Sequence, residues 1–478
     1  MHCYKRFRRS ASGGARLGRF SYLWLLTLLW LPLELDAQSK RPNILFILTD
    51  DQRWDALGFA GNGMIHTPEM DRLASEGTYF ENAFVTTPIC AASRASILTG
   101  MYERTHGYTF GQGEIKAPYI GLSYPALLKG SGYYTGFFGK FGVSYSGFDG
   151  LFDVGESYDR NGAFKDRRGY FFKTIGSDTV HLTRYTGQQA IDFIQEAPED
   201  RPFVLSLSFS APHAHDPAEA QYFWSPEFDS LYRDLVVPDP MLAEDSYFQA
   251  QPEYVRTGEN RTRWHWRYDT PEKYQHSVKG YFRMISEVDA EIGKIRKALE
   301  EKGLADNTVI ILMGDNGYFL GERQLAGKWL MYDNSLRVPL IIHDPRKRGA
   351  RRVEGMALNV DIASTIFDLA GMDIPKEWQG RSLVTEVEGV SSLEERTAFV
   401  AEHLWEVDII APSEGLRTKD WKYFRYRNDP DHEELYHLAE DPYELTNLAG
   451  DARYREKLAD MRSKFDSLAK DLESKRLD

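Results

Sequence analysis

The sequence predicts an α/β protein. A large domain with a mainly parallel central sheet flanked by helices is followed by a smaller C-terminal α+β subdomain with an antiparallel sheet. Three observations carry this. Near-continuous apolar runs recur along most of the chain, the pattern of strands buried on both faces. Helical stretches alternate with those runs, as in successive βαβ units. Past residue 385 the pattern changes to short strands separated by turns, closed by one charged amphipathic helix.

Taken in order, Asn43 to Thr49 (NILFILT) is the first buried strand. Thr67, Pro68 and Glu69 open a helix that Gly77 closes, with N-cap, first-turn Pro and C-terminal Gly in their usual places. Further buried strands are expected at Tyr134 to Phe138, Phe203 to Phe209, Thr308 to Met313 and Val338 to Ile342. Helices are expected at Thr186 to Glu196, Pro271 to Lys302 and Val360 to Leu369. In the C-terminal part, Phe399 to His403, Gly415 to Tyr426 and Glu434 to Leu438 read as short strands, and Arg453 to Ser474 as a helix. The expected division is 1–37 an N-terminal leader, 38–385 the large domain and 386–478 the C-terminal subdomain. One stretch, Tyr222 to Thr270, reads as irregular. It is rich in aromatic, Pro and charged residues, including Arg263, Trp264, His265, Trp266 and Arg267, and long loops of this kind often line sites.

With 478 residues, 42% hydrophobic and 27% charged, the composition is that of a globular chain. It excludes a disordered chain, a collagen-like fibre and a polytopic membrane protein. The formal charge is −13. Residues 1–37 carry six Lys or Arg and two acids, so the rest holds 52 basic and 69 acidic residues, a net −17. Such a chain has no electrostatic basis for binding nucleic acid along its general surface. An anionic substrate must be drawn in by a local cationic site.

At the N-terminus a basic stretch from Lys5 to Arg19 precedes an apolar run from Phe20 to Leu33, then Glu34, Asp36 and Ala37. That order is the order of a secretory signal, and the run is short for a bilayer span. Export, to the periplasm or beyond, is the expectation; an uncleaved anchor is the alternative. Only Cys3 and Cys90 are present, and Cys3 lies in the segment to be removed. A single unpaired thiol in an exported protein is either buried and inert or chemically used.

Asp50 and Asp51 directly follow the first strand, and Asp315 and Asn316 directly follow the strand ending at Met313. In open α/β sheets, ligands bind beyond the carboxyl ends of strands. Three carboxylates and an amide oxygen form a hard oxygen set suited to Ca²⁺ or Mg²⁺ rather than zinc. Read alone, each pair is more often a turn or a helix cap; sharing one sheet edge is what favours a metal. Cys90 precedes Ser93 to Leu98, which reads as the first turns of a helix, so backbone N–H groups would face a nucleophile there. Arg94, four residues on from Cys90, is placed to hold that side chain or a neighbouring oxyanion, and Lys140, His213 and Lys328 follow strands or loops that could share one rim. Alone, a Lys or His is more often a solvated or structural residue.

At this point the residues resemble a family. Cys90-x-Ala92-x-Arg94 followed by Ser96-x-Leu98-Thr99-Gly100 is similar to the motif of type I, formylglycine-dependent sulfatases. The likeness runs from about Arg41 to Leu448 and takes in Asp50-Asp51, Ala211-Pro-His213, Asp315-Asn-Gly317 and Lys328 before Met331 to Pro339. It implies an alkaline-phosphatase-like fold and the oxidation of Cys90 to formylglycine by a formylglycine-generating or sulfatase-maturing enzyme. It implies one Ca²⁺ held by Asp50, Asp51, Asp315, Asn316 and the modified Cys90. Arg94 would orient the formylglycine, Lys140 and Lys328 would bind sulfate oxygens, and His213 would protonate or orient the leaving oxygen. The hydrate of the aldehyde would be the nucleophile, and its second hydroxyl would give the route by which sulfate is expelled.

The chain departs from the family pattern in places. Ala92 stands where many sulfatases have Pro. Phe141-Gly142 follows Lys140 where the family commonly reads Trp-His, so the His implied to deprotonate the second hydroxyl is missing. Gly321-Glu322-Arg323-Gln324 replaces a frequent Gly-Glu-His-Gly. His106 and His215 are the candidates to take over proton transfer. The resemblance and the aromatic-basic stretch suit a sulfated sugar, of the ulvan or glycosaminoglycan kind. Glu402 and His403 would reach it from the opposite wall, or else pack between domains. A phosphoesterase or phosphonate hydrolase of the same superfamily and a catalytically silent carbohydrate-binding relative are the rival readings. No stable membrane anchor is expected.

Overall fold

Every residue of the strand Asn43–Thr49 is buried, and its side chains divide between two cores. Ile44, Phe46 and Leu48 enter one apolar cluster, and Leu45 and Ile47 enter the other. That alternation is the two-residue period of a strand with helices on both faces. The computed structural model describes residues 41–158, 171–216, 218–347, 349–390 and 396–477. The expected export signal lies outside the described residues, all of which belong to one compact unit. No helix among them is long and apolar enough to cross a membrane.

The central sheet has eight strands. Their order across it is Arg351–Leu358, Thr78–Phe84, Leu340–His343, Thr308–Gly314, Asn43–Thr49, Phe203–Ser208, Tyr134–Gly139 and Val154–Ser157. Leu340–His343 runs antiparallel to both neighbours, and the other pairs are parallel. One face is covered by Pro68–Glu76, Leu182–Glu196 and Pro271–Glu301, through residues such as Leu73, Ile194 and Ile292. The other face carries Cys90–Thr99, Tyr124–Lys129 and Asp361–Leu369. Each fully buried Leu or Ile in these layers contributes roughly 1.5–3 kcal/mol.

The C-terminal sheet is antiparallel throughout, in the order Ala398–His403, Ser413–Thr418, Trp421–Tyr426, Asp429–His437. Helix Arg455–Ser474 buries Leu458, Met461, Phe465, Ala469 and Leu472, which belong to the same cluster as Phe46.

Three strands of this sheet escape the sequence pattern, among them the largely exposed edge strand Val154–Ser157. Thr78–Phe84 (TYFENAF) carries Glu81 and Asn82 in mid-strand, and Arg351–Leu358 is an edge strand whose first half is only partly buried. The stretch expected to be irregular contains Asp245–Gln249, Glu253–Arg256 and Glu259–Arg267, all helical.

Candidate active site

Because seven of the eight strands run the same way, their carboxyl ends open on one edge of the sheet. Thr49 leads into Asp50 and Asp51, Gly139 into Lys140, and Gly314 into Asp315 and Asn316. Phe203–Ser208 feeds the loop that carries His213. A small antiparallel pair, Phe319–Leu320 with Ala326–Gly327, places Lys328 against the same edge. Cys90 is the first residue of helix Cys90–Thr99, which begins three residues earlier than the start at Ser93 that the sequence suggests, so Cys90 lies in the first turn rather than ahead of it.

The predicted residues converge. Lys140 Nζ donates to Asp50 Oδ2 at 2.6 Å, and Lys328 Nζ donates to Asp51 Oδ1. Asn316 Nδ2 donates to the same Asp51 oxygen at 2.6 Å. The Asp51 backbone N–H, held at φ +72°, donates to Asp315 Oδ1 at 3.0 Å. Arg94 Nε donates to Asp315 Oδ2 at 2.8 Å, and its Nη1 donates to the Lys140 carbonyl and to Ser208 Oγ at 2.6 Å. His213 Nε2 lies 3.5 Å from Asp51 Oδ2, and its Nδ1 donates to the Ala214 carbonyl. With Nδ1 committed to a carbonyl, a proton carried at Nε2 makes the ring cationic. Cys90, Lys140 and His213 line a cavity of about 640 Å³, together with Tyr108, Phe110 and Ser144.

Opposed charges set the protonation states. Burial alone would raise Asp50, but Lys140 foremost, then His213, Arg94 and Lys328, hold its carboxyl well below the usual range. Asp315 goes the other way, to about 6, because burial and the charge of Asp50 outweigh Arg94. Burial pulls Arg94, Lys140 and Lys328 down, yet the adjacent carboxylates and Cys90 raise all three above their ordinary values. All three therefore stay cationic at neutral pH.

The donor set fits a hard cation. Asp50 Oδ1, Asp51 Oδ2 and Asn316 Oδ1 are buried and accept no hydrogen bond among the described residues. Buried oxygens are rarely left so, since each costs about 1–3 kcal/mol. Ligand atoms of Asp50, Asp51 and His213 all lie within 4.8 Å of one another. Oxygen donors of this kind select Ca²⁺ or Mg²⁺.

Other sequence expectations fail here. His106 is buried, bonded through Nε2 to Ser96 Oγ at 3.0 Å, and burial depresses its pKa to about 3. His215 packs between Phe171 and Phe223. Neither lines the Cys90 cavity, so neither replaces the missing imidazole. Gly142 explains why none stands there: it has φ +71°, and an added Cβ would come within 2.6 Å of Arg94 Cδ. Glu402 and His403 do not reach the cavity either. Both are fully buried, and Glu402 accepts from the Arg104 N–H and guanidinium, each at 2.8 Å. The basic-aromatic stretch is a brace: Arg263 and Arg267 both pair with Asp216, Arg267 is fully buried, and Arg263 stacks on Trp329 at 4.5 Å.

Sequence reasoning missed Ser208, which anchors Arg94, and Asn260, whose amide donates to the carbonyls of Ala326 and Lys328, both at 2.9 Å. No local pattern marks either one. Trp329, at φ +80°, packs with Ile89 and Ala92 beneath the Cys90 helix.

Three cations gather around Cys90 beside an oxygen cradle, so the class defined is a hydrolase acting on an anionic ester. Similarity to known proteins narrows that class. Residues 42–372 match the Sulfatase family model, and residues 321–471 match the model described as N-sulphoglucosamine sulphohydrolase, C-terminal. The chain belongs to the sulfatase family and is a sulfuric ester hydrolase. It is 28% identical over 492 aligned positions to an N-acetylglucosamine-6-O-sulfatase of Bacteroides thetaiotaomicron, covering 88% of this chain and 85% of that one. A solved structure described as in complex with its substrate D-glucosamine-2-N,6-O-disulfate is 25% identical, with a TM-score of 0.76 over 91% of this chain and 99% of that one. The phosphonate monoester hydrolase of Agrobacterium radiobacter shares the fold, with a TM-score of 0.73 at 23% identity over 90% and 96% of the two chains.

Proposed function

We propose that this sulfatase removes sulfate from a sulfated polysaccharide or its oligosaccharides, using a formylglycine made from Cys90 and one calcium ion. The observation that carries this is the set of buried oxygens on Asp50, Asp51 and Asn316 that accept no hydrogen bond, on residues next to Lys140 and His213, which line the same cavity as Cys90. Bound calcium supplies a Lewis acid, and formylglycine supplies a hydrated aldehyde whose hydroxyl is the nucleophile.

The chain's own residues do the rest. Asp50, Asp51, Asp315 and Asn316 hold the cation, and Arg94 fixes Asp315 from behind. Lys140 and Lys328 each give one N–H to a carboxylate and keep two for sulfate oxygens, where charge builds in the transition state. His213, steered by the Ala214 carbonyl, delivers its Nε2 proton to the leaving sugar oxygen. It is the one imidazole lining this cavity among the described residues, so it would also be the group to accept the proton of the second hydroxyl.

Residues 38–385 form the catalytic domain in this reading, and 386–478 the C-terminal subdomain. The chain is exported, to the periplasm or beyond, after processing of residues 1–37, and a formylglycine-generating enzyme is its partner in biosynthesis. The sulfated-sugar assignment draws on the relative acting on N-acetylglucosamine 6-O-sulfate and on the structure with a sulfated glucosamine. The test is sulfate release, measured by ion chromatography, from D-glucosamine-2-N,6-O-disulfate and from ulvan oligosaccharides. Release that needs added Ca²⁺ supports the reading. Faster turnover of phosphonate monoesters would favour the hydrolase of the same fold, and binding without turnover would favour a silent relative.

A further inference from the structure

We infer that a second subsite, for an anionic sugar neighbouring the reacting one, lies in the hollow lined by Lys116, Arg427 and Arg476. The inference rests on the sulfatase reading of the Cys90 site and deepens it. The substrate is then a chain whose adjacent residue carries a sulfate or a carboxylate.

The hollow measures about 590 Å³. It shares Thr109 with the Cys90 cavity, and the segment 107–113 separates the two. Gln112 faces the hollow, while Phe110 and Gly111 face the Cys90 side. The crest of this ridge is aromatic and exposed: Phe110 lies against Trp405 with ring centroids 5.4 Å apart. A sugar crossing from one cavity to the other passes over these rings, whose faces suit its C–H bonds.

Charge in the hollow runs against that of the chain. The protein carries −13, yet three exposed cations line this wall. The acid among the lining residues, Glu103, is buried next to Glu402, and burial followed by that charge lifts its pKa to about 8. At neutral pH it adds little negative charge. The cations are not consumed by neighbours. Lys116 makes no ion pair or side-chain hydrogen bond among the described residues. Arg427 stands 3.7 Å from Glu414 and 3.8 Å from Glu406, too far for hydrogen bonds. Glu414 is already held by Arg104 at 2.7 Å and Arg425 at 2.8 Å. Arg476 donates its Nε to the Arg104 carbonyl at 2.8 Å, which fixes the guanidinium and leaves its two terminal nitrogens for a ligand. Guanidinium forks match carboxylate and sulfate oxygens bidentately.

The test uses the full, matured enzyme and the double variant Lys116→Ala/Arg427→Ala. Both residues are exposed, so folding is preserved. Three disaccharides with the same sulfated reacting sugar are compared, their neighbours bearing a carboxylate, a sulfate or neither; 4-nitrophenyl sulfate is the small reference. The expected result is a KM about ten-fold higher for the anionic neighbours, one charge-assisted bond's worth. The kcat should hold, with no change for the neutral disaccharide or the aryl ester. The arm that responds identifies the anion. Unchanged KM in both anionic arms overturns the subsite. Calorimetric binding of the same disaccharides to Cys90→Ala enzyme separates the two claims. Weakened binding in the double variant without any turnover by wild type keeps the subsite and sinks the sulfatase reading.

Discussion

Replacing Asn260 with Ala should damage catalysis without touching any group in the Cys90 cavity. Asn260 sits buried on helix Glu259–Arg267 and spans the Ala326–Lys328 turn with two amide bonds of 2.9 Å. Removing them strands two buried carbonyls, at about 1–3 kcal/mol each, so the loss of stability is roughly 2–6 kcal/mol. At about 2.1 cal/mol/K of unfolding entropy per residue, that is a drop of only a few degrees in Tm for a chain of this length. The catalytic effect is comparable in free energy but far easier to measure. Lys328 leaves this turn to reach Asp51, and Trp329 beside it is held at a positive φ under Arg263. A shift of about 1 Å in Lys328 costs on the order of 100-fold in kcat/KM. Asn260→Asp should fail as well, since a carboxylate cannot donate to two carbonyls. Leu458→Ala, in the C-terminal helix, is the control, with a similar stability loss of about 2–5 kcal/mol. Thermal denaturation and steady-state kinetics at 25 °C read both quantities. If Asn260→Ala and Leu458→Ala lose stability equally and both keep full kcat/KM, Asn260 is only structural and the positioning argument is refuted.

Other outcomes follow from the same geometry. Cys90→Ala should abolish sulfate release while Tm stays within about 2 °C, because a small buried side chain loses little volume; residual turnover would point to another nucleophile. Chelation should remove activity and lower Tm, since cation binding at 100 times Kd adds about 2.7 kcal/mol; an unchanged melting curve would argue against the Asp50–Asp51–Asn316 cradle. Glu103, at about 8 in the fold against about 4.5 unfolded, binds its proton more tightly when folded. Its contribution is full below pH 4.5 and is lost as pH rises through 8, so wild type should lose stability relative to Glu103→Gln across that window. A flat difference in urea midpoints from pH 5 to 8 would show that Glu103 is ionised throughout.

Much of the centre of this molecule is legible in sequence because buried parallel strands write themselves as apolar runs. Asn43–Thr49 and Thr308–Gly314 appear as such, and the acids that follow each run arrive at one sheet edge because the strands pair in parallel. Edges are harder to read. Arg351–Leu358 exposes part of one face, and Thr78–Phe84 carries polar residues in its middle, so neither shows a clean period. Long-range partners are harder still. Arg263 and Arg267 look alike in sequence whether they grip a ligand or Asp216, and only the fold brings Asp216 to them. Glu402 reads as a polar residue at a strand end, but Arg104 folds against it. Asn260 gives no signal at all, because its role depends on a turn far along the chain.

The central claim is tested most directly by the mass of the tryptic peptide from Leu73 to Arg94, taken from enzyme purified from its own host and paired with the sulfate released by the same preparation. The account predicts an aldehyde or its hydrate at Cys90, with activity proportional to the converted fraction. A fully active preparation in which Cys90 is still a thiol would contradict it.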